Sequence, residues 1–200
     1  KPIILSTGMN DISSIKASVE TILSHGVPLA LLHCTSIYPA PPETMRLGAI
    51  THLKDEFPDL EIGLSDHSLG ISVALGSVAV GANIVEKHFT KSRQWPGPDN
   101  PFSIEPHELK NLVDWSKEIW KARGGKKDIL DDEKPVIDFA YACVVAIKNI
   151  NKGEVLSLDN IWVKRPGTGE IFAKDFENVL GKIATVNISE NTQLAESMFK

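Results

Sequence analysis

The chain has few of the features that mark a disulfide scaffold, a membrane span or a nucleic-acid binder. Its two cysteines, Cys34 and Cys143, lie about a hundred residues apart, and no signal peptide is read before them. A disulfide framework is therefore not expected, and a reducing, cytoplasmic setting is. Cys34 ends an apolar run and Cys143 sits inside one, so both read as small buried hydrophobes. The most apolar window, "GISVALGSVAVGANIV", is too short and too rich in Gly, Ser and Asn to cross a bilayer. A cationic surplus is also missing. Lys and Arg total 21 against 26 Asp and Glu, a net charge of −5, and the one basic run, "ARGGKKD", is soon followed by "DDE". A phosphate-backbone partner is not expected from that balance. Neither a Walker A motif nor the glycine fingerprint of a dinucleotide site follows any strand-like run. The chain opens on "KPIIL" without a methionine, which reads as an internal start of a longer protein.

What is present is a repeated theme. "PIILSTG", "LALLHCTS", "EIGLSDH" and "NIVEKHFT" are short apolar runs that each end in polar residues. Helical patterns separate them. The first, "DISSIKASVETILSHG", has Asp11 placed as an N-cap and His25-Gly26 as its stop. "TMRLGAITHLKDEF", "SLGISVALGSVAVG" and "SIEPHELKNLVDWSKEIWKARGG" follow the other three runs. Strands buried on both faces and alternating with helices mean parallel βα units, either a small open sheet or half of a (β/α)8 barrel. Both architectures collect function at the carboxyl ends of their strands. A linker over residues 124–138 follows, and then "YACVVAIKNINKGEVLSLDNIWVKRPGTGEI" and "FENVLGKIATVNISENTQLAESMF" read as a compact, turn-rich β module.

The polar strand ends are the candidates for chemistry. His67 and His88 end sequential strands, so a parallel sheet makes them neighbours. Two imidazoles at one rim suit a divalent metal with positions left open, or they are simply hydrogen-bonded rim residues. Ser6, Thr7, Thr35, Ser36 and Ser65 put hydroxyls at three of the four strand ends, as a phosphate or carboxylate cradle or as caps of the following helices. Tyr38 lies in the proline-stiffened "CTSIYPAPPE", facing a ligand or packed in its loop. Asp99 stands in a Pro-Gly-Pro turn, and Lys164 and Arg165 precede a Pro-Gly-Thr-Gly loop that reads either as an anion-binding arm or as a solvated loop.

Together, "ILSTGM", "LHCTSIYP", "GLSDH", "EKHFT", "PGPDN", "KARGGKKDIL" and "VVAIKNINKGEVLSLDNIWVKRPGTGEI" occur in the order seen in the sialic acid synthases, and the chain resembles the bacterial N-acetylneuraminate synthase branch of that family. The resemblance implies a fold and a division of the chain: four βα units from the second half of a TIM barrel over residues 1–123, the linker 124–138, and a small SAF, or antifreeze-like, domain over 139–200. It implies condensation of phosphoenolpyruvate with N-acetylmannosamine to N-acetylneuraminate and phosphate, with Mn²⁺ or else Mg²⁺ or Co²⁺. By the same resemblance His67 and His88 match metal ligands, and Ser6 and Ser65 match serines that hold the phosphate. Ser36, where some members carry Asn, and Tyr38 line the substrate pocket. Asp99 lies near sugar and metal, and Arg165 reaches the amino-sugar site of the other subunit in a domain-swapped homodimer. Asp66 and Glu86 either orient the histidines or point into the helix layer. With the first half-barrel absent, these residues alone are expected to be inactive. The competing expectations are the same chemistry on a legionaminic, pseudaminic or 6-phosphorylated acceptor, or a non-catalytic carbohydrate- or ice-binding module.

Overall fold

The computed structural model describes residues 1–200, which divide into two units, Lys1–Gly125 and Lys126–Lys200. In the first unit, β1 (Ile3–Ser6), β2 (Leu29–Cys34), β3 (Glu61–Asp66) and β4 (Ile84–Lys87) form one parallel sheet in the order β1-β2-β3-β4. Between and after them come α1 (Ile12–Ser24), α2 (Gly48–Glu56), α3 (Ser72–Ala79) and α4 (Pro106–Ala122). The expected caps are in place. Asp11 accepts from the Ser14 N–H at 2.9 Å, and Gly26 adopts a φ of 66° where α1 stops. Pro106 opens α4, and the Glu105 N–H donates to the Glu108 carboxylate at 3.0 Å.

The period of two along the strands separates two chemistries. Leu31, Ile62 and Leu64 form one core with Ile15 and Val19 of α1 and Ile50 and Leu53 of α2. Val85 packs in a second cluster with Ala74 of α3 and Leu112 of α4. All four helices therefore cover one face of the sheet. The alternate residues face the other side: Ser6, Leu32, Gly63 and Ile84 in one register row, Cys34, Ser65 and Glu86 in another. Because the strands are parallel, Ser6, Cys34, Asp66 and Lys87 all end on the same edge.

The second unit holds the stretch read as a linker in a more structured state than a spacer. Helix α5 (Lys134–Ala140) begins within that stretch and runs past its end, and the Asp138 carbonyl accepts from the Gly167 N–H at 2.8 Å. Regular strand is sparse. β5 (Cys143–Ala146) and β6 (Ile161–Lys164) pair antiparallel, and the rest is joined by isolated bridges such as Ile150–Ile188 and Val155–Ile183. Val144, Ile150, Leu156, Ile161, Ile188 and Leu194 form its core. The unit is held by turns closed over buried aliphatics more than by long ladders. No helix of the chain is long and apolar enough to cross a membrane.

Candidate functional site

The site lies on the carboxyl edge of the sheet. β3 and β4 run in register to the pair Asp66–Lys87, so the next residues, His67 and His88, leave adjacent strands at the same level. Their ring centroids are 5.3 Å apart with planes near perpendicular (83°). The loop after β2 brings Tyr38 over both, 4.1 Å from the His67 ring and 5.9 Å from that of His88. The loop after β4 supplies Phe102, 5.4 Å from His88 and 6.0 Å from Tyr38. It also supplies Asp99, whose Oδ2 lies 3.6 Å from His88 Nδ1. An aromatic box with one carboxylate at its edge results.

A hydrogen bond fixes how one of the imidazoles presents itself. His67 is buried, and its Nδ1 lies 2.8 Å from the Thr35 carbonyl oxygen. A carbonyl only accepts, so Nδ1 carries the proton and Nε2 keeps its lone pair. His88 turns Nδ1 towards the Asp99 carboxylate, at 3.6 Å beyond hydrogen-bond reach. His67 thus holds Nε2 as the free nitrogen, as metal-ligating histidines do, while the Nδ1 contact of His88 leaves its tautomer open. With a metal–nitrogen bond of about 2.1 Å, two imidazoles on one ion have centroids no more than about 6.5 Å apart. The observed separation falls inside that limit, so the pair fits a divalent ion. No cluster of three or more His, Cys, Asp or Glu side chains forms here, so an ion bound by this chain would keep open positions.

The remaining sequence candidates divide. Cys34, read as a buried hydrophobe, is only partly buried and belongs to the site, with Sγ 4.0 Å from His67 Nδ1 and 3.9 Å from the Ser36 hydroxyl. Ser36 thereby joins the box edge, where it also crowds Gly8 of the loop after β1. Ser65 is buried on the site face and donates to Glu86 Oε1 at 2.7 Å. Glu86 therefore serves Ser65 and orients neither histidine. Asp66 turns to the helix side and pairs with Lys87. Ser6 ends β1, exposed. The Thr7 hydroxyl is bound to the Leu32 carbonyl and that of Thr35 to the Thr44 carbonyl, so these two stabilise backbone. Arg165 belongs to the second unit, exposed beside Lys164, Thr168, Asn191 and Gln193. Phe102 and the Thr35 carbonyl have no counterpart among the sequence candidates. Partial burial of its ring, followed by the nearby Cys34, Asp99 and Glu86, holds the Tyr38 phenol above its ordinary 10.0, so it stays a neutral hydroxyl.

Residues 1–128 match the NeuB family and residues 141–200 the SAF domain. The chain belongs to the NeuB family. It is 42% identical over 200 residues to the N,N'-diacetyllegionaminic acid synthase of Campylobacter jejuni, with 98% of this chain and 59% of that one aligned. To the human N-acetylneuraminate-9-phosphate synthase it is 31% identical, over 99% of this chain and 55% of the other. The solved N-acetylneuraminic acid synthetase of Leptospira borgpetersenii superposes with a TM-score of 0.64 at 40% identity, covering 68% of this chain and 48% of that one. The chain spans about half to three fifths of the length of the curated relatives it matches. Its four-stranded sheet is a parallel half-barrel, followed by a SAF domain.

In this NeuB-family chain the loop bearing Asp99 and Phe102 is tied down by Arg93. The Arg93 N–H donates to Glu105 Oε1 at 2.9 Å, its Nε donates to the Ser103 carbonyl at 2.9 Å, and its guanidinium bonds Glu108. That contact holds the Glu108 carboxyl below its ordinary 4.5. A carboxylate depressed in the folded state contributes stability that is complete above its unfolded value and is lost as pH falls through its folded one. Amide hydrogen exchange across residues 91–105 is therefore expected to accelerate between about pH 5 and 3, after correction for intrinsic rates, ahead of exchange in β2 and β3. Unchanged protection of that loop would show that Arg93 does not hold it.

Proposed function

We propose that the first unit carries half of the active site of a phosphoenolpyruvate-dependent synthase, which condenses that donor with N-acetylmannosamine to give N-acetylneuraminate and phosphate. The observation that carries this reading is the pairing of His67 and His88, with ring centroids 5.3 Å apart and Nε2 of His67 free, beneath the Tyr38 ring. It is supported by membership of a family whose relatives are named as synthases of such acidic sugars. When bound between these histidines, Mn²⁺ supplies Lewis-acid polarisation of the acceptor's aldehyde oxygen. The chain's own groups do the rest. Tyr38 and Phe102 wall the acceptor side with aromatic surface, and Asp99 stands beside His88 as an acceptor for a sugar hydroxyl. Ser6 and Ser65, on the sheet face opposite the helices, are assigned to the phosphate, and Ser65 must turn its one hydroxyl proton from Glu86 to donate there. Ser36 lines the pocket beside Cys34. Arg165 of the SAF domain is assigned to the amino-sugar site of a second copy, where a planar and permanently charged guanidinium suits an amide or hydroxyl clamp.

A second reading keeps the chemistry and changes the acceptor to a 2,4-diacetamido sugar. Two relatives named as N,N'-diacetyllegionaminic acid synthases, 42% and 37% identical, favour it. Phosphate release from phosphoenolpyruvate by the full protein, measured with each sugar in turn and with Mn²⁺ or a chelator, tests both. Release is expected only with sugar and metal together, and the sugar giving the higher kcat/KM decides the acceptor. Release with neither sugar from a folded protein would sink both acceptor assignments.

A further inference from the structure

One charged pair lies just beneath the histidines. Asp66 and Lys87 are register partners, the last pair of the β3–β4 ladder, and each immediately precedes one of the two histidines. Their side chains are 0% and 3% exposed, so the pair is withdrawn from water. Lys87 Nζ donates to Asp66 Oδ2 at 2.9 Å and to the Ser68 carbonyl at 2.6 Å, and Asp66 Oδ1 accepts from the Ser68 N–H at 2.7 Å. Both backbone groups of Ser68, the residue after His67, are thus bonded to this pair, while the Ser68 hydroxyl is buried without a partner. The turn carrying His67 is in this way fastened by a side chain of the strand carrying His88.

Burying two opposite charges gives little net stability, because desolvation offsets most of their attraction, so a pair in this place calls for another explanation. The pair's geometry supplies one. The Asp66–Lys87 contact fixes the backbone on the C-terminal side of His67 relative to β4, and the Thr35 carbonyl fixes the ring itself. Neither constraint touches the Nε2 atoms. We propose that Asp66 and Lys87 are positioning residues that hold His67 and His88 at a shared ligating distance for a divalent ion, a proposal that rests on the metal reading above. Outer partners of metal ligands commonly contribute ten- to a hundredfold in affinity, and this pair would act on both ligands at once.

The test is Mn²⁺ binding by the full protein, followed by titration calorimetry and by the electron paramagnetic resonance spectrum of the bound ion. Lys87→Met is expected to weaken Mn²⁺ binding about ten- to a hundredfold and to alter the spectrum. Because that variant leaves Asp66 buried and unpaired, Asp66→Asn/Lys87→Met is made alongside, removing both charges. It is expected to keep the thermal transition and show the same weakened binding. Wild-type affinity and spectrum in the folded double variant would overturn the proposal, as would failure of both variants to fold, which would make the pair purely structural. His67→Ala and His88→Ala separate the two ideas. If they lose Mn²⁺ while the double variant binds normally, the metal reading stands and the positioning role falls. If they bind as the wild type does, the metal reading itself falls and the proposal with it.

Discussion

Alanine at His67 or at His88 is expected to lower the rate of phosphate release by about a thousandfold at saturating sugar and at a Mn²⁺ concentration that just saturates the wild type. A metal that polarises a carbonyl contributes several kcal/mol to the barrier, and each 1.36 kcal/mol is roughly tenfold in rate. In the proposed site this chain supplies two ligands, so losing either one removes half of its own hold on the ion. The two variants should nonetheless differ. His67 is buried and stacked 4.1 Å from Tyr38, so its removal also opens a hole under the tyrosine and should disturb the fluorescence of that loop. His88 is 30% exposed on its side chain and leans on Asp99, so excess Mn²⁺ should recover more activity in His88→Ala than in His67→Ala. Single-turnover phosphate release against Mn²⁺ concentration checks this. Activity within tenfold of wild type in both would exclude the histidine pair as the metal site.

The largest expected stability effect lies at Gly63, in the middle of β3. A methyl group there would run into the backbone carbonyl of Ile84, and would approach Leu32 Cδ2 to 2.6 Å and Ile84 Cβ to 2.8 Å. Two of these neighbours belong to β4, paired with Gly63 through Ile84, so relief requires the strands to move. Overpacking of this kind costs about 3 kcal/mol, towards the upper end of the usual range because a backbone atom is involved. For Gly63→Ala the midpoint of the first unit's thermal transition is expected to fall by about 10 °C. Gly48→Ala is the control, since nothing lies within 4 Å of a Cβ at that helix start. It should be neutral or up to about 1 kcal/mol stabilising. A Gly63→Ala melt that matches the Gly48→Ala melt would show that the β3–β4 contact is looser than described.

Much of this was legible in the sequence, and the remainder was hidden for identifiable reasons. Apolar runs ending in polar residues, separated by capped helices, were enough to place four parallel strands and to set His67 beside His88. The alternation of side chains was equally readable within each strand. Which rows align across strands was not, because register depends on loop geometry that local pattern does not encode. That is why Cys34, apparently the end of an apolar run, proved to share a row with Ser65 and Glu86. It is also why Asp66 and Glu86, left open between two roles, went separate ways, Asp66 to Lys87 and Glu86 to Ser65. Phe102 follows a run of turn residues, "WPGPDN", and its approach to His88 exists only once that loop folds back. In the second unit, the runs read as a turn-rich β module make one short pair and otherwise single bridges, since short turns satisfy the backbone before a ladder can lengthen.

The grip on His67 is a peptide oxygen, that of Thr35, while the threonine's own hydroxyl is spent on Thr44. Every amino acid brings the same carbonyl to that position. Replacing Thr35 therefore changes the loop's tie to Thr44 and leaves the histidine's tautomer where it was. A scan that truncates side chains one at a time would pass over this contact and assign the site to its histidines alone. Only a change in the path of the main chain between β2 and Tyr38 would disturb it, and a backbone ester in place of an amide is the kind of chemical edit that reaches such a contact.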